Sequence, residues 1–346
     1  MFDGLTRGLA RRLSRRLTRL ASRMLVRPPI KVGRVARKTA QPPPPAVLTT
    51  YARHAAGEVR EVTAFGANPG RLRMLLQLPP TPPLPGAPLL VLLHGCGQDP
   101  VRFAAASGFS ALAARLRAPL LLPLQSPQNN VQGCFNWFHP ADTARGSGEV
   151  ASIRHMVASA LRRYAGDQRR MFIAGLSAGG ALTAALLAAY PELFAGGAVI
   201  AGLPVGAANN LAGAISRMHY APAEPRAAWV ARVPPRRTGA RPPRRWPKLS
   251  IWHGESDRTV HPANGAALAA QWTGLLGLPE APDQDQHPAP MLRRRAWGNS
   301  VEHWSIAGFG HAFPIARSGG TSDPYVATAG IAAVEHIARF WGLDAG

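Results

Sequence analysis

The sequence predicts an α/β fold, a mostly parallel sheet covered on both faces by helices. Three observations lead there. From Val47 onward, short apolar runs alternate with longer alanine-rich segments. Several runs, such as "APLLVLLHG" and "RRMFIAG", are apolar almost throughout, as strands buried on both faces are. No internal repeat is visible, and no apolar run approaches the ~20 residues that span a bilayer. A hydrophobic fraction of 46% in 346 residues supplies a sizeable core and excludes global disorder.

Each element follows from its local pattern. "EVREVTAF" and "RLRMLLQL" read as two early strands, and "APLLVLLHG" as a central one. "FAAASGFSALAARLRA" reads as one helix, "PLLLPLQS" as a strand and "EVASIRHMVASALRRYA" as a helix. The strand "RRMFIAG" and the helix "AGGALTAALLAAYP" follow, then the strands "AGGAVIAG" and "PKLSIWHG". "ANGAALAAQWTGLL" is helical, "VEHWSIAG" a strand and "AGIAAVEHIARFWG" the closing helix. The Pro- and Arg-rich stretch 223–248 reads as a surface excursion between two core strands.

The first forty residues differ. Apolar residues recur at helical spacing from Phe2 to Met24, and residues 1–40 carry twelve Lys/Arg against Asp3. This is a basic amphipathic segment suited to an anionic membrane or granule surface. Arginine breaks it too often for the apolar core of a cleavable signal, so an intracellular or surface-bound protein is expected, with secretion the alternative. "QPPPPA" (41–46) is a stiff linker, and 47–346 forms the main domain. The formal charge is +22, with 37 of the 40 basic residues Arg. Such a bias is ordinary for a GC-rich bacterial genome, and no specific nucleic-acid partner is expected. Two cysteines without a CxxC pair give no metal site, and no cofactor is expected.

The chemistry begins at "FIAGLSAGGALTAALL". A serine within Gly-Leu-Ser-Ala-Gly, between a strand and a helix, sits on a sharp elbow that exposes its hydroxyl. Ser177 is therefore the candidate nucleophile, and a helix-capping serine is the bland alternative. A serine needs a base, and the base an orienting carboxylate. In "SIWHGESDRTVHP", Asp257 follows a strand closely, with Glu255 its rival; in "WSIAGFGHAFP", His311 lies in a glycine-flanked loop. His261 and His303 are weaker rivals, His303 reading as a packed strand histidine. The oxyanion that forms needs backbone donors, and Ala178 and Cys96 supply them, Cys96 within "HGCG" after a strand.

Seven blocks in order, "LLHGCGQDP", "GCFNWFHPAD", "RGSGEVASI", "FIAGLSAGG", "AGLPVGAA", "WHGESDRTVHPANG" and "GFGHAF", resemble the poly(3-hydroxybutyrate) depolymerase family of esterases from Pro88 to Phe340. The resemblance implies an α/β-hydrolase fold, with Ser177, Asp257 and His311 as nucleophile, acid and base. It matches Cys96 and Ala178 to the oxyanion positions and Trp137 to the acyl-binding cleft, with core packing the alternative for Trp137. It also implies a Cys96–Cys134 disulfide, against two free thiols. The expected activity is serine-ester hydrolysis of 3-hydroxyalkanoate polyester or its oligomers. Carbohydrate esters (acetyl or feruloyl) or general carboxylic esters are the alternative, and a scaffold binding anionic surfaces through its basic segments is the non-enzymatic one.

Overall fold

The computed structural model describes residues 48–164, 166–234, 246–317 and 322–343. The amphipathic segment 1–40 and the linker 41–46 lie outside them.

In chain order the elements are β1 (Leu48–His54), β2 (Gly57–Val62), β3 (Arg73–Leu78), β4 (Leu89–Leu93), α1 (Pro100–Ala106), α2 (Phe109–Arg115) and β5 (Leu120–Leu124). There follow α3 (Pro140–Thr143), α4 (Gly148–Tyr164), β6 (Met171–Leu176), α5 (Ala178–Ala189), β7 (Gly196–Ile200), α6 (Leu211–His219) and α7 (Arg226–Ala231). The rest are β8 (Lys248–Gly254), α8 (Ala263–Leu275), β9 (Gln284–Ala289), β10 (Leu292–Trp297), β11 (Val301–Ile306), β12 (Phe313–Ile315), β13 (Val326–Thr328) and α9 (Ala333–Trp341).

Eleven strands form one sheet in the order β1-β2-β3-β5-β4-β6-β7-β8-β11-β10-β9. The six strands from β5 to β11 run parallel and make the centre. Antiparallel strands extend both edges. Side chains alternate between faces along each strand, so the apolar runs feed two cores. Leu89, Val91 and Leu93 of β4 join one cluster with Ile153 and Met156 of α4, Leu182 of α5 and Trp272 of α8. Leu90 and Leu92 join the other with Phe103 of α1, Phe109 of α2 and Trp341 of α9. Burying each such side chain contributes about 1.5–3 kcal/mol, and a charge placed at Leu90 or Val91 would disrupt one whole layer of the fold.

Three sequence expectations are corrected. The helix read across "FAAASGFSALAARLRA" is two helices, α1 and α2, because Gly108 adopts φ 88° between them. The closing helix begins at Ala333 rather than in the preceding Ala-Gly-Ile. The stretch 223–248 is not wholly a surface excursion. It contains α7, whose Trp229 is buried between the guanidinium groups of Arg217 and Arg232, 4.4 and 4.3 Å from its ring. Glu224 pairs with both arginines at 3.1 and 2.5 Å, offsetting their charge beside the ring. Residues 235–245 of that stretch lie outside the described residues.

Candidate active site

Ser177 links β6 to α5. Its backbone stands at φ 57°, ψ −118°, a strained conformation for a residue with a Cβ. Two close approaches make the turn possible. A Cβ on Gly175 would lie 2.3 Å from the Gly179 carbonyl oxygen, and one on Gly179 would lie 2.4 Å from that of Leu93. Glycine at both places lets α5 press against β6 and β4. The Ser177 N–H donates to the Ile200 carbonyl at 2.9 Å, and its own carbonyl accepts the Ala181 N–H at 2.9 Å. Its side chain makes no cap hydrogen bond, which removes the capping alternative. The hydroxyl instead faces a cavity of about 500 Å³.

Ala178 opens α5, where the helix itself supplies no acceptor for the first N–H groups. The Cys96 loop lines the same cavity and comes close to the elbow, a Cβ on Gly95 lying 3.5 Å from that of Ser177. That loop is held by Gln98, whose Oε1 accepts the Gly95 N–H at 2.6 Å and whose Nε2 donates to Asp323 at 2.8 Å. Cys96 is bonded to Cys134 (S–S 2.06 Å), so the expected disulfide is present. Beneath it, Gln125 Nε2 donates to the Cys134 carbonyl at 2.9 Å and to Glu149 at 2.5 Å. Glu149 also accepts the Asn136 N–H at 2.9 Å and its amide at 3.0 Å. Neither Gln98 nor Glu149 stands out in the sequence, since each acts only through partners that the fold brings near.

The disulfide closes a 38-residue separation, worth about 3–4 kcal/mol by chain entropy. Cys134→Ser should therefore lower stability by up to that amount. It should also lower ester kcat roughly tenfold or more, since a misplaced oxyanion donor loses most of its effect. Denaturant unfolding and turnover with and without dithiothreitol check both. Glu149 gives a pH dependence. Burial pushes its carboxyl up to about 8, against the hydrogen bonds from Gln125 and Asn136. A carboxyl raised on folding gives stability that is full below about 4.5 and is lost as pH rises through about 8. Glu149→Gln should flatten that part of the Tm-versus-pH curve.

Asp257 follows β8, and His311 lies in the loop after β11. The Asp257 carboxylate is wholly enclosed. Oδ1 accepts the Thr259 and Val260 N–H groups, each at 2.8 Å. Oδ2 accepts His311 Nδ1–H at 2.7 Å and lies 3.3 Å from His253 Nε2. Burial would raise this carboxyl, but the bonds from His253 and His311 overcome it and hold Asp257 well below the usual carboxylate range. With its proton on Nδ1, His311 keeps the Nε2 lone pair free to take a proton. The Ser177 hydroxyl makes no hydrogen bond to His311 here.

The other candidates separate cleanly. Glu255 is exposed, and its N–H donates to Ile306. His261 accepts the Ala263 N–H near the surface. His303 is buried within β11, as its strand position implies. Trp137 is 9% exposed; it packs edge-on against Phe138 and lines the same cavity as Ser177, Ala178 and Cys96. His253 was not singled out by sequence; its one signal is the spacing of four residues before Asp257.

Ser177, Asp257, His311 and the Cys96 loop thus all follow the carboxyl ends of central parallel strands, where ligands bind in open α/β sheets. Residues 72–286 match the model of the family described as Esterase PHB depolymerase. The chain is 36% identical to poly(3-hydroxyalkanoate) depolymerase C of Paucimonas lemoignei over 292 residues, 82% of this chain and 70% of that one. It is 27% identical to feruloyl esterase B of Talaromyces stipitatus, covering 75% of this chain and 73% of that one. The fold is similar to that of acetyl xylan esterase from Aspergillus awamori, with a TM-score of 0.72 at 24% identity over 83% of this chain and 100% of that one. The chain therefore belongs to the PHB depolymerase family of esterases, carboxylic ester hydrolases of the α/β-hydrolase fold.

Proposed function

We propose that the protein hydrolyses 3-hydroxyalkanoate polyester or its oligomers, with Ser177, His311 and Asp257 as the catalytic triad. Ser177 Oγ attacks the ester carbonyl carbon as its proton passes to His311 Nε2. The Asp257 carboxylate stabilises the imidazolium through Nδ1–H. The Cys96 and Ala178 N–H groups receive the oxyanion. The C–O bond to the alcohol then breaks, the alcohol leaves with the proton from Nε2, and an acyl-Ser177 ester remains. Water, deprotonated by His311, attacks that ester and releases the acid and the serine.

The character of the cavity carries the substrate assignment. Although the chain has a formal charge of +22, no Asp, Glu, Lys or Arg lines it among the described residues. Trp137, Phe138, Leu203, Met218 and Val260 make apolar walls that suit a short, uncharged acyl unit. At its mouth Val131, Leu211 and Ile215 stand 94%, 59% and 51% exposed, beside the exposed polar side chains of Gln132 and His139. The apolar members of this rim gain by covering with a water-poor polyester chain. The relative that acts on poly(3-hydroxyalkanoate) supports the same choice, while the feruloyl and acetylxylan esterases keep carbohydrate esters as the second possibility.

A substrate panel on the full chain tests it: amorphous poly(3-hydroxybutyrate), 3-hydroxybutyrate oligomers, acetylated xylan and methyl ferulate. The expected result is kcat/KM at least about tenfold higher for the hydroxybutyrate substrates, a difference of about 1.4 kcal/mol in transition-state binding. Faster release of acetate from xylan, or of ferulate, would overturn it.

A further inference from the structure

Behind Asp257 lies a set of titratable side chains that the acyl-transfer steps do not use. His253 of β8 and His303 of β11 are both buried. The two strands are parallel neighbours, pairing Ile251 with His303 and His253 with Ser305. The two imidazoles therefore lie diagonally on one face of the sheet. Gly265 of α8 faces both: a Cβ built on it would sit 3.0 Å from His253 Nδ1 and 3.0 Å from His303 Nε2. Those two nitrogens are buried and have no hydrogen-bond partner. Both nitrogens thus flank one point beside Gly265.

Their neighbours fix which nitrogen carries each proton. Arg295 Nη2 lies 2.7 Å from His303 Nδ1. A guanidinium can only donate, so Nδ1 accepts and the proton of the neutral ring is on Nε2. Burial, with Arg295 beside it, holds His303 neutral, its pKa well below the ordinary histidine value. His253 Nε2 faces two acceptors, the Val260 carbonyl at 2.9 Å and Asp257 Oδ2 at 3.3 Å. It therefore carries the proton, and Nδ1 keeps its lone pair. The two unpartnered atoms are one donor and one acceptor.

We propose that His303 Nε2–H faces His253 Nδ1 beside Gly265, and that the line Arg295–His303–His253 keeps the His253 proton on Nε2 toward Asp257 and a second proton off Nδ1, leaving the charge of Asp257 to His311. This rests on the triad assigned above. Two imidazoles share Asp257 Oδ2, His311 at 2.7 Å and His253 at 3.3 Å. In the transition state His311 becomes a cation and needs that carboxylate. A second proton on His253 Nδ1 would cancel its charge. That proton would meet the His303 N–H donor to donor, with the Arg295 cation one ring further on. The groups facing this pair are Asp257 from the loop after β8, His303 from β11, and Arg295 and Arg293 from β10. The overlying α8 contributes no titratable side chain. His253, His303 and Arg295 are positioning residues, since none of them lines the substrate cavity.

The test measures kcat against pH for p-nitrophenyl butyrate in the full chain, in His303→Leu and in His303→Leu with His253→Gln. The glutamine amide in the double variant retains an N–H for Asp257 but takes up no proton. The wild type should show one ionisation on its acid limb, that of His311. In His303→Leu a second should appear, steepening the limb and adding about a tenfold loss of kcat at its acid end, with KM little changed. The double variant should return to one ionisation. A folded His303→Leu with the wild-type limb would overturn the proposal, as would a double variant that keeps the steep limb. Imidazole ¹⁵N NMR of the wild type decides independently of folding in any variant. His253 and His303 should both carry a single proton, on Nε2, across the plateau of the kcat–pH profile, and an Nδ1–H or doubly protonated His253 there would overturn the proposal. Near-wild-type turnover by Asp257→Asn would instead sink the triad, and the NMR result would stand apart from it.

Discussion

Ser177→Ala should lower kcat for p-nitrophenyl butyrate by at least about four orders of magnitude while leaving the fold intact. The loss of activity follows from the chemistry: without Oγ no acyl-enzyme forms, and only the slow turnover supported by binding and the oxyanion donors remains. The intact fold follows from the structure. The Ser177 hydroxyl caps nothing, and the bonds that hold the elbow run through the backbone, from N–H to Ile200 and from Ala181 N–H to its carbonyl. Alanine preserves both. Unfolding in denaturant should therefore agree with wild type within about 0.5 kcal/mol. Activity within tenfold of wild type would remove Ser177 as the nucleophile. A variant that is both inactive and unfolded would return it to a structural role.

Asp257→Asn should lower kcat by about four orders of magnitude as well, through the tautomer of His311 rather than through its position. The argument rests on the two ends of the carboxylate. Oδ1 accepts two backbone N–H groups, from Thr259 and Val260, so the amide oxygen of asparagine is held there. The amide nitrogen then takes the place of Oδ2 and faces His311 Nδ1 as a donor. His311 must accept at Nδ1, its proton moves to Nε2, and the lone pair that should receive the Ser177 proton is gone. Glu255→Gln is the control, and its exposed side chain predicts a change of less than about twofold. Labelling of Ser177 by an organophosphonate, compared across the two variants, separates a lost base from a lost nucleophile. If Glu255→Gln is the crippling change, the acid has been misplaced.

Much of this was legible from residue types because the central strands announce themselves. β4, β6 and β7 are buried on both faces, so they are apolar throughout, and the Cys96 loop and Ser177 follow the first two. Ser177 follows such a strand, whereas Asp257 and His311 follow β8 and β11, where Lys, Ser, His and Glu interrupt the apolar run. The edges could not be read this way. β9 reads "QDQHPA" and is exposed along almost its whole length, so no alternation of apolar and polar residues marks it. β10 reads "LRRRAW", where Arg293 and Arg294 pair with Asp285 and Glu302 on neighbouring strands. Each partner lies on the adjoining hairpin strand, and the run of arginines hides the alternation that would mark β10. α7 was hidden for a related reason. Its tryptophan is buried by arginines, residues that in a Pro-rich stretch read as surface. His253 was missed because its significance depends on a loop that folds Asp257 back over β8.

The elbow at Ser177 has one more consequence, in the upkeep of the sequence. A side chain held at φ 57° costs the fold about 1 kcal/mol or more, a noticeable fraction of the roughly 5–15 kcal/mol that keeps a domain folded. Glycine there would relieve the strain, and a single nucleotide change supplies it from the serine codons AGT and AGC. A lineage that kept this sheet merely as a platform for its basic segments would gain stability by taking that step. At φ 57° the serine thus holds back stability that glycine would return, and acyl transfer at its Oγ, as proposed above, is the use that would offset that cost.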